Sequence, residues 1–276
     1  MIPQTRHVKT SSGAIAYWDT GGAGPAAFLI HGNSSSKAIF EKQLDSDLAK
    51  TYRLIAVDLP GHGESDDAAD PAATYSFAGF ASALIEAADG IGLTRAALVG
   101  WSLGGHIALE MLARWPGAAS AFVFGAPPIP NNPDRALSAF LPSENMGLTF
   151  QETFTDEETR VFAEQNFNDP AQVTADMIAD SKRSDGRFRP LMFQSAMEGH
   201  NLDEEEIAGT CDKPLAMVHG ERDAYVSLDF LRSVSYRNLW GGEVQVLPGA
   251  SHTPQWEAPA PFNALLARFL GDTLGA

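Results

Sequence analysis

Residues 96–112 read AALVGWSLGGHIALEML, and this stretch decides the fold. Ala96 to Gly100 is a short apolar run of strand length, and Leu103 to Arg114 is an amphipathic helix pattern stopped by Trp115-Pro116. Between them Gly100-Trp101-Ser102-Leu103-Gly104 fits G-x-S-x-G. Strand, tight turn and helix around such a serine make a nucleophile elbow, in which a strained turn exposes the hydroxyl at the carboxyl end of a sheet. Small residues two positions to either side let strand and helix come close. The hydroxyl then lies beside the positive end of the following helix. The blander reading is a helix N-cap serine with glycines for a tight turn, and the rest of the chain must decide.

On both sides of this stretch, short apolar runs alternate with helical patterns, the signature of βαβ units on a parallel sheet. HVKTSSG and Ala14 to Thr20 look like a hairpin of outer strands; Ala26 to Ile30 and Arg53 to Asp58 are buried strands. Phe40, Leu44 and Leu48 fall every fourth residue on one helical face, and Ser76 to Ile91 is a second amphipathic helix. AFVFGAPP is a further strand. From 129 to 207 prolines, asparagines and helical segments such as TDEETRVFAEQNF replace the strands, and alternation resumes with PLAMVHGERD, EVQVLPG and FNALLARFLGDTL. The expectation is one mostly parallel, doubly wound α/β sheet built from 1–128 and 208–276, with a helical cap inserted at 129–207.

A serine needs a base to become a nucleophile, and the base needs an acid to orient it. Asp223, in HGERD, and His252, in GASH, each follow a predicted core strand, in the chain order serine, acid, base. Glu221 is the rival carboxylate, although the later position after a core strand is the usual one. His31, His62 and His219 belong to turn motifs and are expected to hold backbone; His106 is expected to pack its helix; His7 and His200 have no motif around them. The developing oxyanion needs N–H donors, and the candidates are Leu103, at the helix N-terminus, and Asn33, in HGNSSS after a strand. Asn33 as a simple turn cap is the alternative. DLPGHGES at 58–65 lacks the lysine of a phosphate-binding loop and reads as structural. The seven histidines show no metal-ligand spacing, so no metal and no cofactor are expected.

The composition narrows the partners. With 19 Lys plus Arg against 35 Asp plus Glu in 276 residues, the formal charge is −16, a poor surface for nucleic acid or anionic membrane. One cysteine, Cys211, closes no intrachain disulfide. No secretory signal pattern opens MIPQTRHVKTSSG and no run approaches a membrane span, so a soluble, cytoplasmic protein without membrane insertion is expected.

Ser102, Asp223, His252, the HGN loop and DLPGHGES, in this order, make the chain resemble an α/β-hydrolase over nearly its full length. HGNSSSKAIF (31–40), GWSLGGHIALEMLARWP (100–116), SDGRFRPLMF (184–193) and the NLW-x-G stretch (238–242) resemble the metal-independent N-acylhomoserine lactonases of that fold. The resemblance implies Ser102 as nucleophile, His252 as base, Asp223 as acid, and Asn33 and Leu103 as oxyanion donors. It also implies a small neutral amphiphilic ester or lactone as substrate, with its acyl chain between sheet and cap. Trp101, Phe140, Phe162 and Phe193 are the binding candidates, with Phe154 and Phe167 nearby. Two departures stand out. The lactonases carry a glutamate where this chain has Asp223, and tyrosine is expected where it has Phe162. A general carboxylesterase and a non-catalytic receptor of the same fold remain the competing readings. Epoxide hydrolases and dehalogenases are disfavoured, because they need a carboxylate where Ser102 stands. Glu204, Glu205 and Glu206 read as a solvated helix end, which disfavours a peptidase cap.

Overall fold

Every residue of Ala26–Ile30 is buried, as in a strand covered on both faces, and such a strand belongs in the middle of a parallel sheet. The computed structural model describes residues 2–275. Its strands are β1 (Arg6–Thr10), β2 (Gly13–Asp19), β3 (Ala26–Ile30), β4 (Arg53–Val57), β5 (Ala96–Trp101), β6 (Ala118–Phe124), β7 (Leu215–Gly220) and β8 (Gln245–Leu247). They form one sheet in the order β1-β2-β4-β3-β5-β6-β7-β8. β3 through β8 run parallel, and the β1–β2 hairpin is joined antiparallel to the edge at β4. The chain is therefore an α/β protein with a mostly parallel sheet, as the alternation predicts.

The two-residue period of the strands divides the core. Phe28, Ile30, Leu98, Val123 and Met217 face one side, where helices Phe77–Gly90 and Leu103–Arg114 supply Phe80, Leu84, Ile107 and Met111. Leu29, Val99, Phe122, Phe124 and Val218 face the other, covered by helix Pro259–Leu274. There Phe122 and Phe124 meet Phe262 and Phe269 at ring-centroid distances of 5.0–5.6 Å. Each such phenylalanine contributes ~1.5–3 kcal/mol on full burial.

Between β6 and β7 all described elements are helical: Pro133–Ser138, Asp156–Glu164, Ala175–Arg183, Phe188–Met197 and Glu204–Thr210, with short 3-10 turns. Asp156–Glu164 opens with a capping box between Thr155 and Glu158, the residues that begin TDEE. The helix expected from Phe40 to Leu48 is broken into Lys37–Phe40, Glu41–Leu44 and Leu48–Thr51. Its apolar face is nevertheless buried at all three positions. The break follows from Ser46, whose hydroxyl donates to the Gln43 carbonyl (2.7 Å) and accepts from Leu48 N–H (3.2 Å), offering the backbone an alternative to the helix. No helix among the described residues is long and apolar enough to cross a membrane.

Candidate active site

The carboxyl ends of the parallel strands bring the chemistry together, as expected for an open α/β sheet. Ser102 ends β5 with φ 52° and ψ −121°, a conformation that side chains rarely adopt and that costs roughly 1–3 kcal/mol. The surroundings hold it there. Its N–H donates to the Phe124 carbonyl (2.8 Å) and its own carbonyl accepts from Gly105 N–H (2.7 Å). A Cβ on Gly100 would lie 2.3 Å from the Gly104 carbonyl oxygen, and one on Gly104 2.1 Å from that of Ile30. Only glycine fits at either position, which is the close approach that G-x-S-x-G predicts. The Ser102 hydroxyl is half-buried and has no hydrogen-bond partner among the described residues.

Asp223 lies in the loop after β7. One carboxylate oxygen accepts from Tyr225 N–H (2.8 Å) and Val226 N–H (3.2 Å), and the other lies 2.9 Å from His252 Nδ1. An ionised carboxylate only accepts, so Nδ1 carries the proton and Nε2 keeps its lone pair. Burial pushes the Asp223 carboxyl up, but the His252 charge, the hydrogen bond to it and the Tyr225 N–H outweigh burial and leave it below its ordinary value. Glu221, the rival acid, accepts instead from Gly249 N–H (2.8 Å).

The loop carrying His252 is braced from two directions. Trp101, beside the serine, donates its indole N–H to the His252 carbonyl (2.7 Å). Gly125, at the end of β6, lies so close that a Cβ there would be 2.9 Å from His252 Cε1. Glu257 accepts from Ser251 N–H (2.9 Å), the Ser251 hydroxyl and Asn168 N–H (2.7 Å). Helical-segment carbonyls complete the brace. Asn166 accepts from the hydroxyls of Ser251 (2.9 Å) and Thr253 (3.0 Å), and Gln165 from Tyr225 (3.0 Å).

Asn33, in the loop after β3, and Leu103, at the start of the helix after β5, both carry N–H groups with no acceptor among the described residues. Gly32 brings this loop against the elbow, since a Cβ on it would lie 3.1 Å from Ser102 Cβ. The Asn33 side chain is engaged elsewhere, donating to the Thr149 carbonyl (3.2 Å) and accepting from the Ser34 hydroxyl (2.7 Å). His31 holds backbone: Nε2 accepts from Leu59 N–H (3.0 Å), so Nδ1 donates to the Gly32 carbonyl (2.8 Å). Asp58 is fully buried and accepts from Lys37 N–H (2.7 Å), Lys37 Nζ (2.6 Å) and Glu64 N–H (2.9 Å), which knits DLPGHGES as a structural loop.

The aromatic candidates scatter more widely. Trp101 is buried; Phe162 is buried against Phe154 (5.3 Å between centroids); Phe140 is half-buried and bridges Val226; Phe193 is 41% exposed and meets Phe150 with rings tilted at 40° (4.2 Å). One expectation fails. Glu204 is not at a solvated helix end: it is 1% exposed, bonded to His106 Nδ1 (2.8 Å) and to Ile129 N–H (2.8 Å). His106 itself stacks on Phe77 (5.0 Å, 7° between planes), so a packing role describes it. Tyr225, Glu257 and Arg189 are braces to which the sequence reading assigns no role, although Arg189 lies within the SDGRFRPLMF stretch.

Residues 27–265 match the alpha/beta hydrolase family, and the chain belongs to that family. It is thus a hydrolase-class protein, with a serine elbow after β5 and a histidine–carboxylate pair in the loops after β7 and β8. Within that class the whole chain is closely similar to the N-acyl homoserine lactonase AidH. A crystal structure of an AidH mutant complexed with N-hexanoyl homoserine matches with a TM-score of 0.94 and 38% identity, covering 99% of this chain and 98% of that one. The AidH complex with N-butanoyl homoserine gives 0.94 and 38%, covering 98% and 97%. A 2-hydroxy-6-oxononadienedioate/2-hydroxy-6-oxononatrienedioate hydrolase of Paraburkholderia phymatum is 27% identical, the alignment covering 94% of this chain and 91% of the relative. A pimeloyl-[acyl-carrier protein] methyl ester esterase of Neisseria meningitidis is 26% identical over 90% of this chain and 77% of its own.

Proposed function

We propose that this protein opens the lactone ring of N-acylhomoserine lactones by serine-dependent hydrolysis. The reading is carried by the likeness to AidH over the whole chain at 38% identity and a TM-score of 0.94, in complexes with N-acyl homoserines. In this mechanism Ser102 attacks the ring carbonyl while His252 Nε2 takes its proton. Asp223 holds the imidazole tautomer and offsets the imidazolium charge. The carbonyl oxygen becomes an oxyanion on the N–H groups of Asn33 and Leu103, each donor being worth ~2.7–4 kcal/mol of barrier. His252 then returns the proton to the departing homoserine oxygen. Water, activated in turn by His252, cleaves the acyl-serine and releases N-acylhomoserine. The freed hydroxyl remains attached to the acyl group, so ring re-closure competes with water at this second stage. Trp101, Phe140, Phe162 and Phe193 are the candidates for contact with the acyl chain of this neutral, amphiphilic substrate.

A second reading is a general carboxylesterase. It is favoured by Phe162, which offers no hydroxyl to a lactone amide. Rates on N-hexanoylhomoserine lactone and on p-nitrophenyl butyrate separate the two: lactone turnover that disappears in Ser102→Ala supports the lactonase, whereas fast ester cleavage with no ring opening overturns it. Failure of a fluorophosphonate probe to label the native protein would favour a receptor without turnover.

A further inference from the structure

Among the described residues, the non-glycine residues with positive φ are Ser34 (53°) and Ser102 (52°). The elbow accounts for Ser102. Ser34 follows the candidate oxyanion donor Asn33 in the tight turn after β3, and a left-handed residue there is uncommon for anything but glycine. Its side chain is held instead. The Ser34 hydroxyl accepts from Arg189 Nε (3.0 Å) and Nη2 (2.7 Å) and donates to Asn33 Oδ1 (2.7 Å), while the Ser34 carbonyl accepts from the Ser181 hydroxyl (2.8 Å).

Arg189 is an unusual residue to find there. It is 2% exposed, and no carboxylate forms an ion pair with it among the described residues. Its Nη1 donates to the Gln151 (3.2 Å) and Glu152 (3.0 Å) carbonyls, and its guanidinium lies 3.9 Å from the Phe154 ring centroid. Burial pulls it down to about 10, so it remains cationic at neutral pH. The Asp185 carboxylate acts on it through space without closing an ion pair, so the buried charge is only partly offset, at a cost to the resting protein. Such a fixed charge is useful where negative charge develops during a reaction.

We propose that Arg189 is a positioning residue of the oxyanion loop. It clamps Ser34 in the left-handed conformation, which locks the Asn33 side chain and keeps the Asn33 N–H aimed at the reacting carbonyl. Its charge, only partly offset by Asp185, favours the anionic transition state over the neutral substrate. This assignment rests on the serine-hydrolase reading of the site.

The test compares the wild type with Arg189→Met, Arg189→Lys, Ser34→Ala and the double variant Ser34→Ala/Arg189→Met, on p-nitrophenyl butyrate and N-hexanoylhomoserine lactone. Arg189→Met and Ser34→Ala are each expected to lower kcat by about 10- to 100-fold, less than full loss of a donor, with KM changed by about twofold at most. Arg189→Lys falls in between. The double variant is no worse than the more impaired single, because both act through one network. Affinity for a trifluoromethyl ketone, which forms a tetrahedral oxyanion on the serine, falls with kcat, while affinity for the ring-opened product does not. Arg189→Met exposes the core to a large change; if it does not fold, Ser34→Ala and Arg189→Lys decide the matter. Folded variants that keep kcat, lose only KM, or multiply their losses in the double overturn the clamp. Activity surviving in Ser102→Ala overturns the underlying hydrolase reading, a result distinct from a failed clamp in an enzyme that does depend on Ser102.

Discussion

Asp223 and His252 lie 2.9 Å apart, carboxylate to Nδ1, and both side chains are withdrawn from solvent. The other Asp223 oxygen is committed to two backbone N–H groups, so the carboxylate has one free role, to fix the imidazole. Replacing Asp223 by Asn keeps the shape but offers an N–H where His252 needs an acceptor. In the proposed reaction kcat should fall about 10³- to 10⁴-fold with little change in KM. Steady-state kinetics on one ester checks it, and a loss below tenfold would remove Asp223 from the role of acid.

Asp223 also links stability to pH. Its folded pKa lies below the ordinary carboxyl value, so the stabilisation is fully present above an unfolded pKa of about 3.9 and disappears as pH falls through the lower folded value. Thermal melts of wild type and Asp223→Asn should therefore show a gap that persists from pH 7 to 5 and narrows below about pH 4. A gap that already closes between pH 7 and 5 contradicts the direction of the shift.

His31 acts with the opposite group and in a different window. Burial lowers it from 6.5 to about 4, and its two hydrogen bonds require the neutral ring. Below about pH 6.5 the unfolded chain takes up the proton first, so stability falls with pH until the folded ring titrates near 4. This residue alone removes roughly 2 kcal/mol by pH 5 and about 3 kcal/mol by pH 4. His62 and His219, also lowered by burial, add to the loss. A urea midpoint unchanged from pH 7 to 5 would contradict this.

The elbow can be tested sterically. In Gly104→Ala the new methyl would stand 2.1 Å from the Ile30 carbonyl oxygen and 2.5 Å from that of His31, both backbone atoms of the central sheet region. Destabilisation above about 4 kcal/mol or failure to accumulate folded protein is expected. Gly147→Ala, with nothing within 4 Å, is the control and should stay within about 0.5 kcal/mol of wild type.

What the sequence disclosed depended on whether a residue's environment is local. Leu103–Arg114 was fully legible, because its apolar period, the elbow before it and Trp115-Pro116 after it all lie within one short stretch. Asp223 and His252 were legible as loop positions after strands, though only their contact separates Asp223 from Glu221. The unbroken helix expected through Leu48 failed because Ser46 competes locally for backbone bonds, a side-chain effect that apolar spacing does not register. Glu204 was misread because its partner, His106, is 98 residues away, and three consecutive glutamates look solvated when taken alone. Arg189 and Ser34 both lie in stretches that carry the family resemblance, but their contact does not show in the chain: arginine is ordinarily a surface residue, and the two are 155 positions apart.

The carbonyls of Gln165 and Asn166 belong to the helical segment between β6 and β7, yet their donors are Tyr225, Ser251 and Thr253, which surround the proposed acid and base. The hydroxyls on either side of His252 are thus shared between this segment and Glu257. Substitutions at 165–166 that move these carbonyls would be felt at the imidazole without any change among the residues proposed to react.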